Sequence, residues 1–327
     1  MDSLTQAVLG IAVAHTGFSN KINRKKTVFF GAVVATLPDL DIYLAKFFND
    51  PLTEIELHRG FSHSLLFFLL LAAIISKLFK NSFDTVSFKR MYFTTFLILL
   101  THSLLDVFTT WGTQILWWYP EKFALKSIFV VDFFYTFPLL VGVMIGLKRR
   151  KLKFTYCGLL VSSLYLGWGL LAQSNVKKEA QQQFSEVIHQ EIQQITVKPT
   201  FSNSILWNVI IETKDGFYLS DRSLFDNEPM AFQYFPNRHY LIDELKTAKN
   251  IQRLITISEN QYIITQNENG LVFNDLRFGL LKNEPDDVQF AFSYQLVPQD
   301  DDFIVKELPK ENRDGKQLLK NIWNRIF

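Results

Sequence analysis

The first half of the chain is mostly apolar, and the second half is mostly polar. Before Gln173 the sequence is a series of apolar runs that short polar or basic stretches separate. About 20 apolar residues are needed to cross a bilayer as a helix. A short run, Leu4–Phe18, comes first, and longer runs follow it: Thr27–Ala45, Phe61–Phe79, Met91–Trp111, Ile128–Leu147 and Phe154–Gln173. This pattern predicts an α-helical polytopic membrane domain with five to six spans in residues 1–173.

The spacing of the apolar residues changes after Gln173. Residues 174–200 are charged and glutamine-rich, and their apolar spacing predicts an amphipathic helical linker. Residues 201–305 contain short alternating runs with turn signals between them, which predict a mostly β soluble domain. The predicted strands are Leu206–Thr213, Phe217–Ser220, Gln261–Gln266, Leu271–Asn274 and Val288–Val297. Residues 306–327 form a charged tail with weak helical spacing.

The positions of Lys and Arg near the ends of the apolar runs predict the orientation. In multi-span proteins, the basic residues of short loops lie mostly on the cytoplasmic side. One set of alternate loops contains Lys21, Arg24, Lys25, Lys26, Lys77, Lys80, Lys89, Arg90, Lys148, Arg149, Arg150, Lys151 and Lys153. The other set contains only Arg59, Lys122 and Lys126. We therefore expect a multi-pass protein whose mostly β domain lies outside the cytoplasm.

The overall composition narrows the class of protein. The chain of 327 residues has 48% hydrophobic residues, 14 Gly and 1 Cys, which excludes collagen-like, wholly disordered and disulfide-rich proteins. The single cysteine, Cys157, has no second cysteine with which to form an internal disulfide. A net charge of +2 is too balanced to indicate a nucleic-acid partner.

Among the ionisable residues within or beside the apolar runs, seven are aspartates and histidines that lie near the predicted outer ends. An ionisable side chain at the centre of a span costs roughly 2.5–3.5 kcal/mol on insertion scales, so such residues usually serve a function. They are Asp39, Asp41, His58, His63, His102, Asp106 and Asp132. In the predicted orientation all of them lie in the outer half of the membrane or at its outer surface. This shared depth predicts one site that opens to the outer side.

The types of these residues suit a divalent metal ion. Imidazoles with carboxylates favour zinc, with manganese and iron as alternatives. All seven residues are candidate metal ligands, and all except Asp132 are also candidate catalytic residues. Four carboxylates and three imidazoles exceed what one tetrahedral ion needs. The surplus suits a second ion, a general base, or partners that orient the ligands.

Local sequence features help these residues to converge. His102 and Asp106 are four residues apart, so both project from one face of a helix. Pro38 interrupts a helix, which lets the two aspartates after it turn toward one place. Gly60 permits a turn between His58 and His63, and the intervening Ser62 is expected to cap the next helix.

Each of these residues also has a simpler interpretation. The pair of His102 and Asp106 also suits a hydrogen bond between packed helices. Asp39 and Asp41 suit a turn, and Asp132 suits a helix cap. An ion or proton pathway also uses carboxylates and imidazoles within a membrane. Three further histidines are isolated from the set and are expected to have no metal role: His15, His189 and His239.

Several motifs, taken in order, resemble a known family. They are Met1-Asp2-Ser3-Leu4-Thr5-Gln6, Leu37-Pro38-Asp39-Leu40-Asp41, His58-Arg59-Gly60-Phe61-Ser62-His63-Ser64 and His102-Ser103-Leu104-Leu105-Asp106. Over about residues 1–170 the chain resembles the bacterial membrane-bound metal-dependent hydrolases, also described as LexA-binding inner-membrane proteins. The stretches Gly112-Thr113-Gln114 and Ser127 to Asp132 resemble its longer branch, which carries an outer C-terminal domain.

The resemblance implies an inner-membrane location and metal-dependent hydrolysis, but it supplies no substrate. Many relatives carry His where this chain has Gln6, and a glutamine is a poor zinc ligand, so no metal role is expected there. An association with LexA needs a cytoplasmic surface. The largest soluble domain of this chain is expected on the other side, so that association is not expected here.

Three classes of function fit these features. The first is a metal-dependent hydrolase of the bacterial inner membrane that acts on a lipid-borne or envelope substrate, such as a phosphoester. The second is an ion or solute transporter that uses the same residues, and the third is a non-catalytic envelope scaffold. Because the polar residues stop in the outer half of the membrane, we prefer the hydrolase to the transporter. The sequence indicates no particular protein partner.

Overall fold

The computed structural model describes residues 1–48, 50–284, 287–299, 302–309 and 315–326. The α-helices in this part of the chain are α1 (Ser3–Phe18), α2 (Arg24–Thr36), α3 (Asp41–Ala45), α4 (Pro51–Leu57), α5 (Leu65–Phe79), α6 (Phe88–Val107), α7 (Phe133–Arg149), α8 (Leu152–Val187), α9 (Lys249–Ile257) and α10 (Gly315–Ile326). Short 3₁₀ helices lie at Pro38–Leu40, Lys46–Phe48, Phe61–His63, Lys80–Phe83 and His239–Leu245.

The chain divides into two compact units. The N-terminal unit contains Met1–Phe47, Leu57–Leu171 and Phe201–Ser204. The C-terminal unit contains Phe48–Glu56, Ala172–Thr200 and Ile205–Phe327. Each unit has its own buried apolar residues, so each is described by itself below.

Helices of membrane-spanning length begin in the N-terminal unit. By length and composition, Leu65–Ser82 and Leu152–Val187 are long and apolar enough to cross a bilayer. The pair Arg24–Thr36 and Pro38–Phe48 passes the same test as one broken span with a bend of 47°. The chain therefore has a helical N-terminal region with two or three candidate spans. The larger number of five to six stays a prediction.

Helix α1 lies at the centre of the N-terminal unit, where it packs against α2, α6 and α7. Gly10 and Gly31 let α1 and α2 approach closely, because a Cβ on Gly10 would lie 2.3 Å from the Gly31 carbonyl oxygen. Small residues at such contacts are the usual means of close helix packing in membranes. The close approach brings Gln6 of α1 and Ala35 of α2 into hydrogen-bonding distance of His102 on α6.

The C-terminal unit contains two four-stranded antiparallel sheets, with strand orders β1-β2-β3-β4 and β5-β6-β7-β8. The strands are β1 (Gln194–Pro199), β2 (Leu206–Glu212), β3 (Gly216–Ser223), β4 (Gln233–Pro236), β5 (Tyr262–Asn267), β6 (Gly270–Glu284), β7 (Asp287–Gln299) and β8 (Asp302–Glu307). Strands β2, β3, β5, β6 and β7 lie where the sequence predicts strands. The two sheets share an apolar core that includes Ile210, Phe217 and Leu276.

Helix α8 differs from the predicted division into a span and a separate linker helix. It continues without a break to Val187, since neither Gly nor Pro interrupts the sequence between Gln173 and that residue. The last residues of the predicted linker are instead strand β1, because Ile195 and Val197 are buried in the core of the C-terminal unit. The end of α8 contributes Phe184 to the same core.

All of helix α4 except its last residue, Leu57, belongs to the C-terminal unit, although the helix lies between candidate site residues in sequence. Leu52 is fully buried there and packs in one cluster with Ile251. Arg253 of α9 donates to both carboxylate oxygens of Glu56, at 2.9 and 2.8 Å, and lies 2.8 Å from Asp50. The helix is therefore fixed by a buried leucine and by a guanidinium with several acceptors.

We predict that Leu52→Ala lowers the free energy of unfolding of the C-terminal unit by about 2–5 kcal/mol, because it removes buried methyl groups and leaves a cavity. Urea unfolding of the full chain in detergent, followed by tryptophan fluorescence, measures this effect. The matched control is Leu57→Ala in the same helix, since Leu57 is 43% exposed. Equal losses in the two variants would contradict the packing described for α4.

Candidate metal centre

Four side chains converge in the N-terminal unit: Asp39, His63, His102 and Asp106. We call them the four-residue cluster, because one potential ligand atom from each lies within 4.8 Å of the others. His63 Nε2 is 3.3 Å from Asp39 Oδ1 and 3.2 Å from His102 Nε2. Asp106 Oδ2 is 3.7 Å from His63 Nε2 and 3.4 Å from His102 Nε2. His102 Nε2 is 3.5 Å from Asp39 Oδ1.

Asp39 reaches the cluster because the helix that precedes it breaks. Pro38 begins a 3₁₀ turn after α2, and the chain bends by 47° at this point. The turn directs Asp39 toward His63, while Asp41 follows at the start of α3. Asp39 has the most accessible side chain of the four, at 15% exposure, whereas the other three are buried. The cluster therefore reaches the surface at Asp39.

Hydrogen bonds determine which ring nitrogen of each histidine carries the hydrogen. His102 Nδ1 lies 2.6 Å from the carbonyl oxygen of Ala35, and because a carbonyl can only accept, Nδ1 donates. The Ser62 hydroxyl donates to Asp41 at 2.6 Å, so its oxygen accepts from His63 Nδ1 at 2.9 Å. In the neutral rings both Nε2 atoms then carry lone pairs. The cluster therefore brings together two nitrogen acceptors and two carboxylate oxygens.

The two carboxylate oxygens of Asp106 have different surroundings. Oδ1 accepts from Gln6 Nε2 at 3.0 Å, lies 3.2 Å from Arg59 Nη2 and also contacts the amine of Met1. Oδ2 faces the two histidines, and it is buried without a hydrogen-bond donor among the residues that the structure describes. Oδ2 is one of six buried side-chain atoms without a partner among the described residues, and its place beside two imidazoles suits a cation.

Asp41 and His58 lie beside the cluster rather than within it. Asp41 Oδ1 is 2.9 Å from His58 Nδ1, and Oδ2 accepts from the backbone N–H of Arg59 at 3.0 Å. The same Oδ2 is 3.3 Å from His63 Nδ1. A carboxylate behind an imidazole is the usual arrangement that orients a histidine toward a metal. Asp41 therefore supports a member of the cluster and connects it to His58.

The predicted role of Ser62 as a helix cap is wrong. Residues 61–63 form a 3₁₀ turn, so α5 begins only at Leu65, and Ser64 is its cap. The Ser64 hydroxyl accepts from the backbone N–H of Phe67 at 3.3 Å. Ser62 is instead free to donate to Asp41, which places its oxygen behind His63.

The donors of the cluster fit a small divalent ion. Zinc bonds of about 2.0–2.2 Å to nitrogen and oxygen place tetrahedral ligand atoms roughly 3.3–3.6 Å apart. Five of the six separations in the cluster run from 3.2 to 3.7 Å, and the sixth, between Asp39 and Asp106, is within 4.8 Å. Lone pairs and negative charges at these distances repel one another, and a cation removes the repulsion by binding all of them. The residues therefore have the chemistry and the spacing that such an ion requires.

Asp132 lies at the start of α7 and is not among the four converging residues. Its Oδ1 accepts from the backbone N–H groups of Phe134 and Tyr135, at 3.0 and 3.2 Å. Its Oδ2 accepts from the Tyr165 hydroxyl at 3.0 Å. Asp132 is thus an N-cap, and both of its oxygens have partners within the protein.

The remaining histidines of the described chain have other surroundings. His15 is buried in α1 and lies 2.8 Å from the side-chain oxygen of Asn20. His189 is exposed beyond the end of α8. His239 donates from Nε2 to the carbonyl of Tyr262 at 2.9 Å, and partial burial lowers the pKa of its imidazole. None of the three forms part of the four-residue cluster.

Three residues around Asp106 were not identified as site residues from the sequence: Met1, Gln6 and Arg59. One signal was available for the arginine. Several carboxylates in an apolar environment need positive charge nearby, and Arg59 is the basic residue within the motif His58 to Ser64. No comparable signal distinguishes Gln6, because its role depends on the packing of α1 against α6.

These features define a class of protein: a helical membrane protein with a buried histidine–carboxylate cluster, followed by a domain of two antiparallel sheets. The chain belongs to the YdjM inner membrane protein family, whose model matches residues 1–176. All four residues of the cluster lie within the matched region.

Two relatives extend this comparison. Inner membrane protein YbcI of Escherichia coli (strain K12) is 31% identical over 123 residues, which cover 37% of this chain and 69% of that protein. Uncharacterized protein YfhP of Bacillus subtilis (strain 168) is 28% identical over 227 residues, which cover 67% of each chain. No solved structure matches this chain. The comparisons establish a membrane protein of this family and assign no reaction to it.

We predict that Asp132→Ala lowers stability by about 1 kcal/mol, because it removes the N-cap of α7, while Asp132→Asn keeps most of that stability. Neither variant should change the amount of bound metal. Thermal unfolding in detergent and metal analysis of the same samples measure the two effects. Loss of metal in Asp132→Asn would show that this carboxylate has a role in the site.

Proposed function

We propose that this protein is a metal-dependent hydrolase of the inner membrane and that the four-residue cluster holds its divalent ion. One observation carries the proposal. Two imidazole lone pairs and two carboxylate oxygens lie within 4.8 Å of one another, and each imidazole nitrogen is 3.2–3.7 Å from the other three atoms. Asp106 Oδ2 also has no donor among the described residues. Zinc is the first choice for this donor set, with manganese and iron as alternatives.

A divalent ion in this place would act as a Lewis acid and lower the pKa of water, which is the chemistry that hydrolysis needs. The chain supplies a candidate proton acceptor beside it. His58 donates from Nδ1 to Asp41, so its Nε2 is the basic nitrogen. The His58 side chain is 25% exposed, and its ring centroid is 6.0 Å from that of His63. We therefore assign proton transfer to His58, with Asp41 as the carboxylate that orients it.

The surroundings of Asp39 favour a lipid-borne substrate. The segment that carries Asp39 and Asp41 also exposes large apolar side chains, at Leu40, Tyr43 and Leu44. An apolar rim beside a polar centre suits a molecule with an acyl or polyprenyl chain and a polar head. A dication favours a negatively charged head, so we propose a phosphoester of a membrane lipid or envelope precursor.

We also propose that α1, α6 and α7 cross the membrane together with the candidate spans, so that the site opens to the outer side. Helix α1 packs against both α6 and α7 in the N-terminal unit. The basic residues of alternate loops support this orientation, since thirteen lie on one side and three on the other. The C-terminal unit would then lie outside the cytoplasm.

The orientation predicts which positions a membrane-impermeant thiol reagent reaches in intact cells. In a Cys157→Ser background, cysteines at Gln114 and Glu268 should react from outside. Cysteines at Lys25 and Lys151 should react only after the membrane is opened. Labelling of Glu268→Cys only in opened cells would contradict both the orientation and the outward opening of the site.

For the site itself, we predict that His63→Ala and His102→Ala abolish stoichiometric metal binding and lower hydrolysis of a phosphoester probe at least tenfold, since each removes a nitrogen donor. Metal analysis and turnover of p-nitrophenyl phosphate esters in lipid–detergent micelles measure this. The control variants are His189→Ala and His239→Ala, which should change neither. Ion flux through proteoliposomes without hydrolysis would favour a transporter instead.

A further inference from the structure

Arg59 has a backbone conformation that few residues other than glycine adopt. Its φ is 61°, in the left-handed region, where a non-glycine residue costs roughly 1–3 kcal/mol. Gly60 follows with a φ of −87°, so the glycine of the motif does not occupy the strained position. Nine other non-glycine residues of the described chain also have a positive φ, so the contacts of Arg59, rather than its backbone angle alone, distinguish it.

The guanidinium of Arg59 is buried and fixed against the end of α6. Its residue is 3% exposed, and its Nη1 donates to the Thr109 hydroxyl at 2.8 Å. Its Nη2 lies 3.2 Å from Asp106 Oδ1. The Thr109 hydroxyl in turn donates to the backbone carbonyl of Asp106 at 2.7 Å. The position of the guanidinium relative to Asp106 is therefore set by two separate hydrogen bonds.

The main chain of Arg59 contacts a second carboxylate, that of Asp41. Its N–H donates to Asp41 Oδ2 at 3.0 Å, and its carbonyl accepts from the N–H of Gln114 at 2.9 Å. Asp41 is the carboxylate behind His63. Arg59 is thus connected to Asp106 through its side chain and to the support of His63 through its backbone.

We propose that Arg59 is a positioning residue, which occupies Asp106 Oδ1 so that Asp106 offers Oδ2 alone to the ion. Without a fixed cation on Oδ1, a carboxylate is free to turn or to bind a metal through both oxygens. Gln6 and the amine of Met1 also contact Oδ1, but the amide of Gln6 carries no charge. Arg59 differs from the amine in its planar guanidinium, which Thr109 also holds in place. This inference rests on the proposed metal-dependent function, and it adds a residue that acts through Asp106 without touching ion or substrate.

The first test separates geometry from charge. Arg59→Lys keeps the positive charge and the strained backbone, but it loses the two-pronged contact to Thr109 and Asp106. We expect zinc affinity, measured by competition with a chromophoric chelator, to fall by about 10–100-fold. The matched control is Arg90→Lys, because Arg90 donates to Gly17 and Ser19 in the same unit and should leave zinc affinity unchanged.

The second test uses a spectroscopic signature and chemical rescue. Arg59→Gly relaxes the left-handed backbone and removes the guanidinium, and we expect the absorption spectrum of bound Co²⁺ to change. Guanidinium ion at concentrations below those that denature the protein should restore the wild-type spectrum. Guanidinium should not restore the spectrum in Arg59→Gly/Asp106→Asn, because the carboxylate that the added guanidinium must neutralise is absent.

An unchanged zinc affinity in Arg59→Lys, together with an unchanged Co²⁺ spectrum in Arg59→Gly, overturns this inference alone, provided that the wild-type protein binds metal. A wild-type protein that binds no divalent ion overturns the proposed function as well. If the Arg59 variants do not fold, Thr109→Val removes the hydroxyl that fixes the guanidinium while keeping Arg59. An unchanged Co²⁺ spectrum in Thr109→Val then counts against the positioning role.

Discussion

The burial of Asp106 is the constraint on which the N-terminal unit depends. A carboxylate removed from water is tolerated only with nearby positive charge and hydrogen-bond donors, because the penalty for an uncompensated ion amounts to several kcal/mol. Oδ1 receives its compensation from the protein, through Arg59, Gln6 and the amine of Met1. Oδ2 receives none from the described residues, and it faces the two imidazoles. Helix packing thus supplies partners to one oxygen of Asp106 and leaves the other facing the imidazoles, which is the basis of the proposed metal chemistry.

The packing of the helices brings the potential ligand atoms of the four-residue cluster together. Close contact at Gly10 and Gly31 brings α1 and α2 together, and the Ala35 carbonyl then fixes the ring of His102. The break at Pro38 turns Asp39 toward the cluster, where a continuous helix would carry it past. A membrane helix normally has no free carbonyl to offer a side chain. The Ala35 carbonyl is available because α2 ends one residue later, at Thr36. The break at Pro38 therefore provides both the candidate ligand Asp39 and the carbonyl that orients His102.

The sequence predicted the convergence of histidines and aspartates because ionisable residues in apolar runs are costly and therefore informative. It predicted most strands for a similar reason, since alternation and turn residues are local signals. It did not predict that Ser64 rather than Ser62 begins α5, because this depends on a single 3₁₀ turn. The sequence could not separate Asp132 from the other candidate metal ligands, because an aspartate at a helix N-cap and an aspartate that binds a metal have the same sequence pattern. The role of Arg59 depends on a backbone angle and on contacts between distant helices, which no local pattern records.

Helix α4 directly precedes His58 and Arg59 in the chain, and it is fixed in the C-terminal unit by Leu52 and Arg253. This attachment and the local hydrogen bonds are two possible sources of order for His58 and Arg59. Fixing the middle of a chain segment shortens the loop that must close, but each halving of loop length contributes only about 0.6 kcal/mol. A hydrogen bond to a charged group contributes roughly 1.5–3 kcal/mol. Asp41 accepts from His58, from the Arg59 backbone and from the Ser62 hydroxyl. The free energy of these local hydrogen bonds is therefore larger than the contribution of the shortened loop. The geometry of the site is set mainly by residues of the N-terminal unit.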